Sequence, residues 1–173
     1  MDSCDFTLNP ELTEDQRAKF QSPELIQSLL HEAKTIAVVG LSTDPTKASH
    51  RVATYLRDAG YRIIPVHPTA EELLGERVYR SVADIPFPVD IVDIFRPANE
   101  VPAIVAQAIQ NKAKSVWMQL RIISLVAAEH AHASGLKVVV DKCTKLEHDR
   151  YRDILLRSER VSDHFRPPSV AKD

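Results

Sequence analysis

Thr35-Ile36-Ala37-Val38-Val39-Gly40 runs into Leu41-Ser42-Thr43-Asp44-Pro45-Thr46-Lys47-Ala48-Ser49-His50-Arg51. The first six residues form a short, almost wholly apolar, β-branched run that ends in glycine. Such a run is too short for a typical helix and suits a strand buried on both faces, as in a parallel sheet. From Ser49 to Ala59 the period changes. Val52, Ala53, Leu56 and Ala59 share one helical stripe, and Gly60 stops it. Tyr61-Arg62-Ile63-Ile64-Pro65-Val66 is a second strand, halted at His67-Pro68. Strand, helix and strand in this order make a βαβ unit.

The same alternation continues outward. Val89 to Phe95 is a third strand, and Pro97 turns into a helix carrying Val101, Ile104, Val105, Ala108 and Ile109. Lys114 to Met118 is a fourth strand, Ser124 to Ser134 a helix closed by Gly135, and Leu136 to Val140 a fifth strand. Short apolar strands alternating with helices predict an α/β fold: a Rossmann-like three-layer sandwich with a five-stranded, mostly parallel sheet. Glu71 to Pro88 lacks a clear period and suggests a loop with a short edge element at Val78-Tyr79. Residues 1–32 form a helical extension. In it Ser22-Pro23-Glu24 starts a helix bearing Leu25, Ile26, Leu29 and Leu30. Residues 33–148 are the sheet domain, and 149–173 a C-terminal helix, with Tyr151, Ile154 and Leu155, followed by a tail from His164 that is expected to be mobile.

The chain has 173 residues, 44% hydrophobic and 27% charged, which suits one globular domain. Lys and Arg number 22 against 24 Asp and Glu, for a net charge of -2. That balance argues against a nucleic-acid partner, which calls for clustered cations. There are only four glycines, Gly40, Gly60, Gly75 and Gly135, where an average usage of about 7% would give roughly a dozen. No two stand close enough to write G-x-G-x-x-G or the P-loop fingerprint. Two cysteines, Cys4 and Cys143, give no disulfide framework. Residues 1–10 are acidic and polar, unlike a secretory signal, and no apolar run is long enough to span a bilayer. The expected compartment is the cytoplasm, with no membrane partner.

In an open parallel sheet, ligands bind outside the carboxyl ends of the strands, where the winding reverses. The loop after the first strand is suited to an anion. Gly40 allows close backbone approach, Ser42, Thr43, Thr46 and Ser49 offer hydroxyls, and Ser49 is placed to cap the helix. Lys47 and Arg51 bring cations to a helix N-terminus, where they are unfavourable by roughly 0.3–1 kcal/mol unless an anion joins them. The alternative is that both are solvated or pair with Asp44. The second strand ends in Pro65-Val66-His67-Pro68, without the acid that holds the ribose in NAD-binding domains. His67 is placed to meet a phosphate or an adenine edge, or to serve the turn. Phe95-Arg96-Pro97 adds an aromatic face, or a core side chain, and a guanidinium suited to phosphate.

The ordered segments V-V-G-L-S (38–42), S-x-R-V-x-x-Y-L (49–56), G-Y-x-I-I-P-V-x-P (60–68), L-G-E-R-V-Y-x-S-V-A-D-I-P (74–86), V-D-I-V-D-I-F-R (89–96), V-W-M-Q-L (116–120) and D-K-C-T-K-L-E-H (141–148) resemble a known family. They are similar to the stand-alone CoA-binding domain proteins. These are single-domain relatives of the CoA-binding domain of succinyl-CoA synthetase alpha subunits and NDP-forming acyl-CoA synthetases. The resemblance implies binding of coenzyme A, or an acyl-CoA, chiefly through its ADP-phosphate portion. By it, Gly40, Leu41, Ser42, Lys47, Ser49 and Arg51 form the phosphate loop. Pro65, Val66, His67 and Pro68 border the adenosine, Phe95 and Arg96 line the crevice, and Gln119, Leu120 and Arg121 form its far wall. Two positions depart from the pattern: Arg121 stands where the family usually has glycine, and His67 where it tends to have asparagine.

The expected role is binding without catalysis. The synthetases need a phosphorylatable histidine and a nucleotide-grasp partner, and this chain is too short to hold those domains. No H-x-x-x-H metal pair occurs; His130 and His132 face different sides of a helix. Trp117 is expected in the core. Cys143 lies between Lys142 and Lys145, and cations favour thiolates, so it is either a thiol able to form a mixed disulfide with CoA or a half-buried structural residue. Two other readings stay open: an NAD(P)-binding oxidoreductase or redox sensor, and an interaction protein whose nucleotide pocket is blocked by Arg121. The acidic N-terminal segment and the C-terminal helix offer surfaces for a homodimer or another protein partner.

Overall fold

A computed structural model of the chain describes residues 11–163. Cys4, the acidic start and the tail from residue 164 lie outside the described residues.

The sheet is built from β1 (Thr35–Val39), β2 (Arg62–Val66), β5 (Ile91–Ile94), β6 (Ser115–Met118) and β7 (Lys137–Val139). Its order is β2-β1-β5-β6-β7, and every pair is parallel. The five strands and their mostly parallel arrangement are therefore as expected, with no antiparallel exception. A separate two-stranded hairpin, β3 (Glu72–Leu73) and β4 (Glu76–Arg77), fills the segment expected to be a loop. Its two turn residues, Leu74 (φ 54°) and Gly75 (φ 76°), are both left-handed, which matches the twist of a tight hairpin. The expected edge element at Tyr79 is a single parallel bridge to Val66 on the outer side of β2.

The pleat sorts the strand side chains into two cores. Ala37, Val39, Val92, Ile94, Val116, Met118 and Val138 face one side, with α4 (Val101–Asn111) and α5 (Leu125–Ala133). Ile36, Val38, Ile63, Ile91, Trp117 and Val139 face the other, with α2 (Pro23–Glu32), α3 (Ala48–Asp58) and α6 (Thr144–Asp163). The result is the expected three-layer, Rossmann-like sandwich. Trp117 is fully buried, and its indole N–H donates to the Lys142 carbonyl at 2.7 Å.

Three local features differ from the expectation. A further helix, α1 (Glu14–Phe20), precedes α2. It is started by a capping box in which Thr13 and Gln16 exchange side-chain and backbone hydrogen bonds. Its last residue, Phe20, is fully buried. The next residue, Gln21, donates from Nε2 to the Val140 carbonyl at 2.8 Å, and the Val140 N–H donates to the Phe20 carbonyl at 3.3 Å. The C-terminal helix begins at Thr144 rather than at 149. And Ser49 is not the cap of α3: it is the second residue of that helix, behind Lys47 at the cap position.

Candidate functional site

β1 is the point where the winding reverses. Its chain goes through α3 to β2 on one side, while β5 lies on the other, so the carboxyl ends of β1 and β5 bound a crevice. Gly40 is the first residue past β1. Its φ is +85°, and its N–H donates to the Val66 carbonyl at 3.2 Å. A Cβ there would stand 2.8 Å from Arg96 Cδ and 3.2 Å from the Phe95 carbonyl oxygen. Both the backbone angle and the space therefore require glycine.

The loop after Gly40 is tied internally. Leu41 is fully buried and anchors it in the core. The Ser42 N–H donates to the Ser49 hydroxyl at 3.0 Å, which explains why Ser49 is buried and does not cap α3. The Ser42 hydroxyl accepts from the Asp44 N–H at 3.1 Å, and the Ser42 carbonyl meets His50 Nδ1 at 2.8 Å. Asp44 accepts from both the N–H and the hydroxyl of Thr46, at 2.9 and 2.7 Å. The Thr46 N–H, then its hydroxyl, holds the Asp44 carboxyl below the usual carboxylate range. Asp44 is thus held by Thr46, and neither Lys47 nor Arg51 forms an ion pair among the described residues. Lys47 gives α3 no side-chain cap. Among the described residues, the first turn of α3 keeps unpartnered N–H groups, with two exposed cations beside them.

The other expected residues are placed as follows. Val66 is buried at the end of β2, and Pro68 is exposed. His67 organises its own turn, because its Nδ1 accepts from the N–H groups of Thr69 and Ala70 at 3.1 and 2.9 Å. Phe95 is half-buried against the core shared by α2, α3 and α6. Arg96 is exposed and forms a bidentate pair with Glu100, Nε to Oε2 and Nη2 to Oε1, both at 2.8 Å. At the end of β6, Gln119 is buried and turned inward. Its Nε2 donates to Asp93 Oδ1 and to Thr144 Oγ1, each at 2.7 Å. Leu120 is half exposed. Arg121 has φ +65°, its N–H donates to Asp141 Oδ1 at 2.6 Å, and it lines a recess of about 350 Å³ with Leu12, Arg17 and Gln21. The left-handed backbone supplies a reason for glycine at this position that close ligand approach does not. The loop of residues 40–51, Phe95 and Arg96 gather around the β1–β5 crevice. Residues 66–68 border it on the β2 side, and residues 119–121 lie at the end of the next strand beyond β5.

Two acids that hold these residues were not anticipated. Glu100 holds Arg96 and is recognisable only as the acid four residues on. Asp93 is fully buried within β5. Its two carboxyl oxygens accept from Gln119 at 2.7 Å and from the Thr144 hydroxyl at 2.9 Å. Burial pushes its pKa up to about 7. An acid inside the apolar run Ile91-Val92-Asp93-Ile94 is the signal that could have drawn attention to it. Cys143 is half-buried. No helix among the described residues is long and apolar enough to cross a membrane.

Comparison with known proteins agrees with this fold. The uncharacterized protein YneT of Bacillus subtilis is 37% identical over 123 residues, 71% of this chain and 91% of that protein. A hypothetical protein of Pyrococcus horikoshii OT3 has the same architecture. Its TM-score is 0.72 at 38% identity, over 75% of this chain and 91% of that one. The ADP-forming acetate–CoA ligase II of Archaeoglobus fulgidus is 33% identical over 103 residues, 58% of this chain but only 15% of the ligase. The sheet domain, residues 34–149, matches the family model described as CoA binding domain. With its single-glycine loop at the reversal of a parallel sheet, this chain belongs to the CoA-binding domain family.

Proposed function

We propose that this protein binds coenzyme A, or an acyl-CoA, through the ADP-phosphate portion, at the crevice between the carboxyl ends of β1 and β5. The observation that carries the reading is the start of α3. It is uncapped by any side chain, and Lys47 and Arg51 flank it without an ion pair among the described residues. A phosphate there accepts from the first N–H groups of the helix and from Arg51, and it neutralises the two cations. Gly40 lets the ligand approach the backbone. Arg96 reaches a second phosphate by exchanging Glu100 for it. Pro68, exposed just past the buried end of β2 at Val66, offers an apolar edge to the adenosine, and the lack of an acid there favours CoA over NAD.

The role is binding without a catalytic step of its own. The ligase relatives carry most of their length outside the matched segment, and the proposed division leaves their transfer chemistry there. The compartment we infer is the cytoplasm, from two cysteines with no disulfide framework.

Calorimetry of the full chain with CoA, dephospho-CoA, ADP, NAD and NADPH tests the reading. CoA should bind, and ADP should retain part of its affinity. Arg51→Ala should weaken both by roughly ten- to a hundredfold, the size expected for a lost charge-assisted hydrogen bond. No binding of any CoA species at millimolar concentration, or tighter binding of NADPH than of CoA, would overturn it.

A further inference from the structure

A second cavity lies at the opposite pole of the sheet, where β1 and β2 begin. It is bounded by the ends of α2 and α3 and by the middle of α6, and it encloses about 740 Å³. That volume falls within the range of about 300–1,000 Å³ typical of small-molecule sites. The eleven residues of α3 separate it from the phosphate loop by about 16 Å at the usual helical rise.

We propose that this cavity is a binding site for a small organic anion with a flat, apolar body. It is independent of the CoA reading. Three rings form its wall. His148 stands edge-on to Tyr55 and to Tyr61, with centroids 5.6 Å away in both cases. The wall is rigid. The Tyr55 hydroxyl and His148 Nδ1 are 3.0 Å apart, and the Tyr61 hydroxyl donates to the Leu30 carbonyl at 2.5 Å. Burial holds the His148 pKa below that of an ordinary imidazole. Flat side chains held in this way favour a flat ligand.

The rim sets the sign of the ligand's charge. Among the described residues Lys34, Arg62 and Arg152 line it, against one acid, Asp58, which is already held by Arg57 at 3.0 and 3.1 Å. Lys34 forms no ion pair among the described residues. Arg62 and Arg152 reach acids only at 3.8 and 3.6 Å, in exposed pairs that a ligand can displace. Two helix C-termini also meet here and would by themselves favour a cation. Five carbonyls of their final turns already accept hydrogen bonds, however: Leu29 from Ala33 N–H, Leu30 from Tyr61, and Tyr55, Leu56 and Arg57 from the N–H groups of residues 59–61. Among the described lining residues, three Lys or Arg cations stand against one Asp or Glu, and Asp149, beside Tyr55 and His148, is paired with Arg152.

The probe is 8-anilinonaphthalene-1-sulfonate, an aromatic sulfonate whose fluorescence rises in apolar sites. Titrated into the full chain with CoA present, it should bind saturably at one equivalent. Lys34→Glu combined with Arg152→Glu, both at exposed positions, should weaken it at least tenfold and leave CoA affinity unchanged. Amide NMR shifts of the wild-type chain should locate the probe at residues 30–34 and 59–62, a readout that needs no variant. An unchanged affinity in the charge-reversed chain, or shifts confined to residues 40–51, would overturn the proposal.

Discussion

The substitution Asp93→Asn keeps the shape of the side chain and removes its charge at a position that is fully buried. The native carboxyl has a pKa of about 7 against an ordinary value of 3.8, because burial disfavours the charged form more than Gln119 and Thr144 restore it. Between those two values the native state therefore holds a proton that the unfolded chain has lost. Stability from this group is greatest at low pH and declines as pH rises above about 4, levelling off above 7. The whole difference corresponds to about 4 kcal/mol, of which about 2.5 kcal/mol falls between pH 5 and pH 8. The substituted amide does not titrate, and Gln119 can turn its own amide to accept from it. Urea unfolding of both proteins at pH 5, 6, 7 and 8 gives the difference directly, and other titrating groups cancel. The variant should gain about 2.5 kcal/mol on the wild type across that interval. A constant difference would mean that Asp93 is ionised throughout, and the account of its burial would be wrong.

Gly40→Ala forces a left-handed alanine against Arg96 and the Phe95 carbonyl. It should lower stability by about 1–2 kcal/mol from the backbone alone and weaken CoA at the same time. Unchanged affinity in calorimetry would separate Gly40 from the site. Glu100→Gln releases Arg96 from its bidentate pair, so CoA should bind more tightly, with a steeper dependence on salt. Weaker binding would mean that the pair positions Arg96 rather than competing for it. Arg121→Gly relieves a left-handed φ of 65° and should raise the thermal midpoint by a few degrees, about 1 kcal/mol of relief in a chain of this size. A lowered midpoint would show that the arginine side chain contributes more than its backbone strain costs.

The sheet was legible because each of its strands is an apolar run bounded by glycine, proline or charge, and burial on both faces leaves no other reading of Ile36 to Val39 or Val116 to Met118. Helix α2 was legible for the same kind of reason, since Ser22 caps it with its hydroxyl and Pro23 opens it. Helix α1 was harder: seven residues carry only one buried side chain, Phe20, too few to make a period. The Thr13–Gln16 box was the available signal. The site shows a sharper limit. A hydroxyl beside a helix start suggests a cap, but the Ser49 hydroxyl accepts from Ser42, a partner that exists only once the loop has folded. His67 could equally have faced a ligand or its own turn, and it is the backbone geometry at Thr69 and Ala70 that engages its Nδ1. Asp93 finds Gln119 and Thr144 across 26 and 51 positions of chain, a separation no local pattern encodes.

Each margin of the sheet is met at its carboxyl end by one of the chain's own segments. On one side Tyr79 bridges Val66 along β2. On the other, β7 is three residues long, and the backbone of Val140 just beyond it is taken by Phe20 and Gln21. Unpaired strand edges are the usual template for one molecule to add to another. With one margin bridged at its end and the other short and closed at its end, assembly by sheet extension is disfavoured. Phe20 and Gln21, at the end of α1, close the backbone next to β7: a chain starting at Ser22 would retain every strand and α2 yet free Val140, and should aggregate where the longer chain does not.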